Sequence, residues 1–121
     1  VGGQAGGVVA GNDQRWKVAL PAMPAGGPLR LTIEGKKTVS IKDLMVGEVW
    51  VLFGQSTTTL ALSGAAHADS EIPAANYPLI RLFTVPQKSS LQPQNNVTAH
   101  WKSCSPATSQ YFREIAYCFG R

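Results

Sequence analysis

Gly54-Gln55-Ser56 is the segment of this sequence best suited to covalent chemistry. It follows the continuous apolar run Val49-Trp50-Val51-Leu52-Phe53, whose composition is that of a strand covered on both faces in a parallel sheet. A serine just past the C-terminal end of such a strand sits where open α/β sheets place their sites. Gly54 lets the chain turn sharply there, exposing the hydroxyl and aiming N–H groups around Gly54, Gln55 and Thr57 at a developing oxyanion. The hydroxyl also needs a hydrogen-bonded base to accept its proton. The only histidines are His67 and His100. His67 has Asp69 two residues on as an orienting carboxylate, a spacing that a loop can bring into contact but one helical face cannot. His100 precedes Trp101. A structural reading stands beside each of these: a loop hydroxyl for Ser56, and a surface or locally hydrogen-bonded imidazole for His67 and His100. Trp16, Trp50 and Trp101 are too scattered for a sugar-stacking platform and read as core.

Two kinds of sequence must hold these residues in place. Up to about Val46 the pattern is one of small antiparallel strands. Trp16, Val18 and Leu20 alternate with Lys17 and Ala19, the period of a half-buried strand. Pro21 to Pro28 is a Pro/Gly-rich connection. Leu29, Leu31 and Ile33 alternate again, Glu34-Gly35-Lys36-Lys37 supplies a turn, and Val39 and Ile41 begin the return strand. From Gly47 the character changes. The apolar run at 49–53 is answered by Leu79-Ile80-Arg81-Leu82-Phe83-Thr84-Val85, with enough chain between them for a crossover containing a helix. Ser105-Pro106 is a helix start, and Phe112, Ile115, Ala116 and Phe119 share one helical face that Gly120 can close. Strand, crossover, strand and helix in this order predict the opening of an α/β sheet. The glycine-rich start, Gly2 to Gly11, reads as loop and has no Lys-Ser/Thr to make a phosphate cradle.

The totals narrow the function classes. With 121 residues, 44% apolar and 15% charged, the chain is suited to burying a core and unlike a charge-rich disordered tail. Eleven basic residues against seven acidic give +4, but the charges are scattered, so no nucleic-acid footprint is expected. The residual attraction is toward acidic glycans. No apolar run approaches a membrane span, and Val1-Gly2-Gly3-Gln4 does not begin a signal peptide. Cys104 and Cys118 fit no zinc pattern and read as thiols or, in an exported protein, as one disulfide. No metal and no cofactor is expected.

Longer stretches carry a family resemblance. Trp16-Lys17-Val18 with Leu20 and Pro24-Ala25-Gly26-Gly27-Pro28 resembles the accessory β-sandwich of bacterial sialate O-acetylesterases. Lys42-Asp43-Leu44-Met45-Val46-Gly47-Glu48-Val49-Trp50 resembles the lead-in to their catalytic domain, and it runs into Gly54-Gln55-Ser56, the position of their nucleophile. Ala74-Ala75-Asn76-Tyr77-Pro78-Leu79-Ile80-Arg81-Leu82-Phe83, then Trp101 with Cys104-Ser105-Pro106, Phe112 and Ala116-Tyr117-Cys118-Phe119-Gly120-Arg121 are similar to the same family in the same order. There are departures. The family follows its serine with Asn-Met-Glu, where this chain has Thr57-Thr58-Thr59, and it has a small residue where Phe53 stands.

The resemblance implies a partial accessory β-sandwich at 1–46. It implies the N-terminal part of an esterase domain at 47–121, opening a parallel α/β sheet like that of SGNH hydrolases. Such enzymes use Ser–His–Asp chemistry without a metal to remove acetyl groups from sugars, and members are largely periplasmic or secreted. By the same resemblance the family's base, its Asp and part of its oxyanion hole fall beyond Arg121, so an internal piece is expected. The implied substrate is an O-acetylated sugar or small acyl ester. The alternative is an inactive remnant with a structural or carbohydrate-binding role, and open sheet edges would favour self-association.

Overall fold

Alternation between leucines and polar residues shapes the first ladder. A computed structural model describes residues 1–54 and 59–121, which divide into two units, Val1–Trp50 and Val51–Arg121. In the first, β1 (Gly26–Ile33) and β2 (Val39–Val46) form an antiparallel hairpin around the expected Glu34–Lys37 turn. Leu29, Leu31 and Ile33 share the half-buried face of β1, as their period of two requires.

Two bulges bend this hairpin. Gly27 and Pro28 together oppose Met45, and farther along Lys42 and Asp43 together oppose Arg30. Each extra residue needs an unusual backbone. Asp43 has φ 61°, a left-handed value that aspartate tolerates better than most residues. Gly27 has φ 143°, and a Cβ there would lie 2.7 Å from the Leu44 carbonyl oxygen, so a side chain fits neither the conformation nor the space.

The expected strand at Trp16–Leu20 is not formed. Val18 and Leu20 instead lie against Gly6, where the absent side chain leaves room for them. No described residue of the first unit is fully buried, as follows when two strands must cover one another alone.

The second unit holds the core. After a 3-10 turn at Leu62–Gly64 come α1 (Ala68–Ala74), β3 (Tyr77–Leu82), β4 (Lys102–Cys104), α2 (Pro106–Ser109) and α3 (Glu114–Gly120). Leu62, Ala75, Leu82, Cys104 and Tyr117 are buried together, with Ile72, Tyr77, Ile80 and Phe112 packed around them. β3 pairs antiparallel with β4, and Pro78, Leu79 and Ile80 loop out between the paired Tyr77 and Arg81. Both ladders among the described residues are antiparallel, so the expected parallel pairing of the runs at 49–53 and 79–85 is not made there.

Three expectations are corrected by this packing. Val49–Phe53 belongs to no strand, and Val51 and Phe53 are 81% and 92% exposed. The second run is not covered on both faces either: Leu82 is buried while Leu79 is exposed, because the only described partner of β3 is a strand of three residues. Finally, the three tryptophans are all exposed, although Trp101 rests against Phe83 with ring centroids 5.0 Å apart.

The expected helix from Ser105 starts as read but breaks in two. The Ser105 N–H donates to Thr108 Oγ1 at 2.9 Å, and the two hydroxyls lie 3.1 Å apart, a reciprocal cap at the start of α2. The break at 110–113 has a backbone cause. Leu62 N–H donates to the Phe112 carbonyl, Ser63 N–H to that of Gln110, and Glu114 N–H to that of Leu60. These groups cannot also close helical turns. The restart at Arg113 rotates α3, so Tyr117 faces the core while Ile115 and Phe119 are exposed. Tyr117 donates its hydroxyl to the Glu71 carbonyl at 3.5 Å, and Arg121, ion-paired with the Glu71 carboxylate, sits 5.5 Å from its ring centroid. This cluster ties α3 to α1.

Both thiols are free, Cys104 buried and Cys118 exposed. Burial raises the Cys104 thiol above its ordinary 9.0; a hydrogen bond from the Tyr77 backbone opposes this and is the smaller effect. Burial and the neighbouring Tyr77 likewise raise Tyr117 above 10.0. A group raised on folding contributes stability that is complete below its unfolded value and is lost as pH rises through its folded value. The second unit should therefore lose stability progressively above pH about 9, read by urea unfolding at stepped pH. A thiol reagent at pH 8 should label Cys118 at least about tenfold faster than Cys104, with both reacting equally fast in denaturant.

Candidate active site

Gln55, Ser56 and Thr57 lie outside the described residues, but the residues on either side of them have a definite setting. Gly54 and Thr59 line a groove of about 340 Å³ in the second unit. Its walls are largely apolar, from Leu52 and Phe53, from Phe83 and Val85 just after β3, from Phe112 before α3, and from Ile115 and Ala116 at its start. Arg113 is the one charged side chain on the described wall. It is there because the chain pairs Arg113 with Ala61 in an isolated bridge before α3 begins, which turns the N-cap residue toward the groove.

A second groove, of about 250 Å³, shares Thr84 and Phe112 with the first. Its other walls include Ala99, His100 and Lys102 from the approach to β4, and Thr108 and Tyr111 from α2 and the segment after it. His100 is exposed at this wall. Its place there follows from the short β4 ladder, which pairs Lys102 with Leu82 and so brings the preceding residues alongside the end of β3.

The two histidines are thus set apart. His67 is the N-cap residue of α1, where its carbonyl oxygen accepts from the Glu71 N–H at 2.9 Å and from Ser70 Oγ at 3.0 Å. Its side chain makes no capping bond, and it lines neither groove. Asp69 follows in the first turn of α1, where a negative charge favours the helix dipole. Only His100 occupies a groove wall contiguous with the one flanked by Gly54 and Thr59.

Sequence reasoning did not find Arg113 or Lys102 as groove residues. Arg113 looked like one more scattered charge in a helical stretch, and only the break before α3 gives it a cleft. Lys102 lies in a strand whose existence depends on a partner far away in sequence. Arg81, in β3, donates a hydrogen bond to the Pro78 carbonyl across the looped-out segment.

No protein-family model matches the chain. It is 27% identical over 120 residues to the sialate O-acetylesterase of Mus musculus, covering 88% of this chain and 22% of that protein. To the sialate O-acetylesterase of Homo sapiens it is 26% identical over 127 residues, covering 93% and 24%. Among solved structures, a carbohydrate acetylesterase from Xanthomonas citri superposes with a TM-score of 0.83 at 37% identity, over 88% of this chain and 25% of that one. The chain spans about a quarter of the length of the proteins it matches. Over nearly its whole length, then, it is a relative of the sialate O-acetylesterases.

Proposed function

We propose that this chain carries the nucleophile-bearing part of a serine esterase that removes acetyl groups from sugars. The observation that carries the reading is the similarity to a carbohydrate acetylesterase, at 37% identity and a TM-score of 0.83. In this reading the stretch from 47 to 121 opens an SGNH-like domain, the hairpin unit belongs to an accessory sandwich, and the protein is periplasmic or secreted. No described helix is long and apolar enough to cross a membrane.

The chemistry follows from the residue types. The Ser56 hydroxyl attacks the acetyl carbonyl carbon, and its proton passes to an imidazole. N–H groups from the Gly54–Thr57 turn hold the oxygen as it becomes negative. Collapse of the tetrahedral intermediate expels the sugar alcohol, which takes the proton from the imidazole. Water then adds to the acyl-enzyme, releases acetate and restores the serine. Of the two histidines in this chain, His100 is the better placed to serve as base, because its groove adjoins the one flanked by Gly54 and Thr59.

A fluorophosphonate probe tests the nucleophile directly. The serine oxygen forms a bond to phosphorus and fluoride leaves, so tryptic mass spectrometry should find the adduct on Ser56 alone. A chain left unlabelled, or labelled equally on other serines, would count against the assignment. The open edges of the two-stranded sheets support self-association as part of the same reading. Sedimentation velocity should then show a weight-average mass rising with concentration; a constant monomer mass would remove that part.

A further inference from the structure

The chain between β3 and β4, residues 83–101, forms no helix or strand and far exceeds the roughly 4–6 residues usual for such a connection. Phe83 and Trp101 stack at its two ends, with ring centroids 5.0 Å apart, so the excursion is closed at its base. Farther out it is exposed, and Leu91 stands wholly in solvent. Ser90 gathers the local polar groups into a turn. Its hydroxyl donates to the Gln92 carbonyl at 2.7 Å, and Gln94 Nε2 donates to Ser90 Oγ at 2.9 Å and to the Gln92 carbonyl at 3.1 Å.

Just past this turn comes Asn96-Val97-Thr98, the one Asn-X-Ser/Thr triplet of the sequence. All three residues are exposed and lie outside any helix or strand. Neither the Asn96 amide nor the Thr98 hydroxyl bonds to another described residue, so neither has to be freed from the fold. Such a triplet, with X other than proline, is the acceptor signal for N-linked glycosylation, and it is usable where a transferase can close around it, on a surface loop of an exported chain. The other asparagines lack the pattern: Asn12, Asn76 and Asn95 have Gln14, Pro78 and Val97 two residues on. A bulky hydrophilic group on Asn96 displaces no packed side chain and stands beside the exposed apolar Val97.

We propose that Asn96 is an acceptor for N-linked oligosaccharide, the donor being a glycan carried on a lipid pyrophosphate. In the transfer, the Asn96 side-chain nitrogen forms a bond to the anomeric carbon of the donor's first sugar. The bond from that carbon to the pyrophosphate oxygen breaks, and the lipid pyrophosphate leaves with the electron pair. The nitrogen gives up one proton to a base of the transferase, and the Thr98 hydroxyl is the feature by which the transferase recognises the triplet. That the chain meets such a donor rests on the secreted location in the reading above; the fitness of the acceptor rests on the loop alone.

The test is to express the full chain in yeast behind a supplied secretory leader, with a terminal tag whose own acceptor triplet reports entry into the lumen. Mass spectrometry of the tryptic peptide 89–102 should find an oligosaccharide on Asn96, released by peptide N-glycosidase with aspartate left at that position. Asn96→Gln and Thr98→Val should each abolish the adduct, whereas Thr98→Ser, which keeps the hydroxyl, should retain it. A chain with a glycosylated tag and a bare 89–102 peptide would overturn the proposal, as would an adduct that persists in either Asn96→Gln or Thr98→Val. Because the leader is supplied, the result does not depend on native export. Fractionation that finds the native protein only in the cytoplasm would sink the secreted reading and leave the acceptor site standing.

Discussion

Replacing Ser56 with alanine is expected to bring hydrolysis of 4-nitrophenyl acetate down to the rate of buffer alone, a loss of about a thousandfold or more where the serine is the working nucleophile. The side chain supplies the atom that bonds to the acyl carbon. Removing a nucleophile abolishes the covalent route. His100→Ala should cost on the order of a hundredfold, since general-base assistance is worth about 10² to 10⁴. His67→Ala should leave the rate unchanged, because His67 stands at the start of α1 and lines neither groove. Rates that are equal in wild type and Ser56→Ala would mean background hydrolysis. The chain would then be an inactive remnant of an esterase, a reading that the replacement of Asn-Met-Glu by Thr57-Thr58-Thr59 already invites.

Leu62→Ala should be the most damaging substitution for the fold outside the groove walls. Leu62 is 1% exposed and belongs to the buried cluster described for the second unit. Truncating such a leucine costs about 2–5 kcal/mol, from lost transfer energy and the cavity left behind. A unit of this size has only about 4–10 kcal/mol of total stability, so the loss is a large share of it. Leu62 also sits on the 3-10 turn whose backbone pairs with Phe112 and Gln110, the pairing that breaks α2 from α3. Loosening it should move Arg113 and Phe112, and with them the groove. Urea unfolding followed by circular dichroism should show the midpoint falling by at least about 1 M for Leu62→Ala. Leu79→Ala, at a position 67% exposed, should shift stability by no more than about 0.5 kcal/mol.

Local patterns proved readable wherever the contacts they rely on are local. The β1–β2 hairpin was legible because alternating leucines and a Gly-Lys-Lys turn determine their own pairing within a few residues. The start of α2 was legible because Ser105, Pro106 and Thr108 build the cap among themselves. The family was legible too, since a resemblance needs only the order and spacing of residues.

What sequence could not supply depends on distant partners. The apolar run Val49–Phe53 has the composition of a buried strand, yet burial is decided by what lies against it, and here those side chains are exposed. β4 exists only because Leu82 and Lys102 meet across a long excursion of chain. The helix expected from Ser105 to Gly120 had a continuous apolar face on paper. Hydrogen bonds from Leu60 to Ser63 take over the backbone groups it needed, and the restart turns Tyr117 inward instead. The place of Arg113 on the groove wall follows from the same event. Composition, caps and the Gly54-Gln55-Ser56 motif were set by the residues themselves, because covalent order and short-range hydrogen bonds need no tertiary partner. Which faces are buried, which histidine borders the groove, and where Arg113 stands were decided only by the tertiary structure, because each is a property of elements brought together from far apart in the chain.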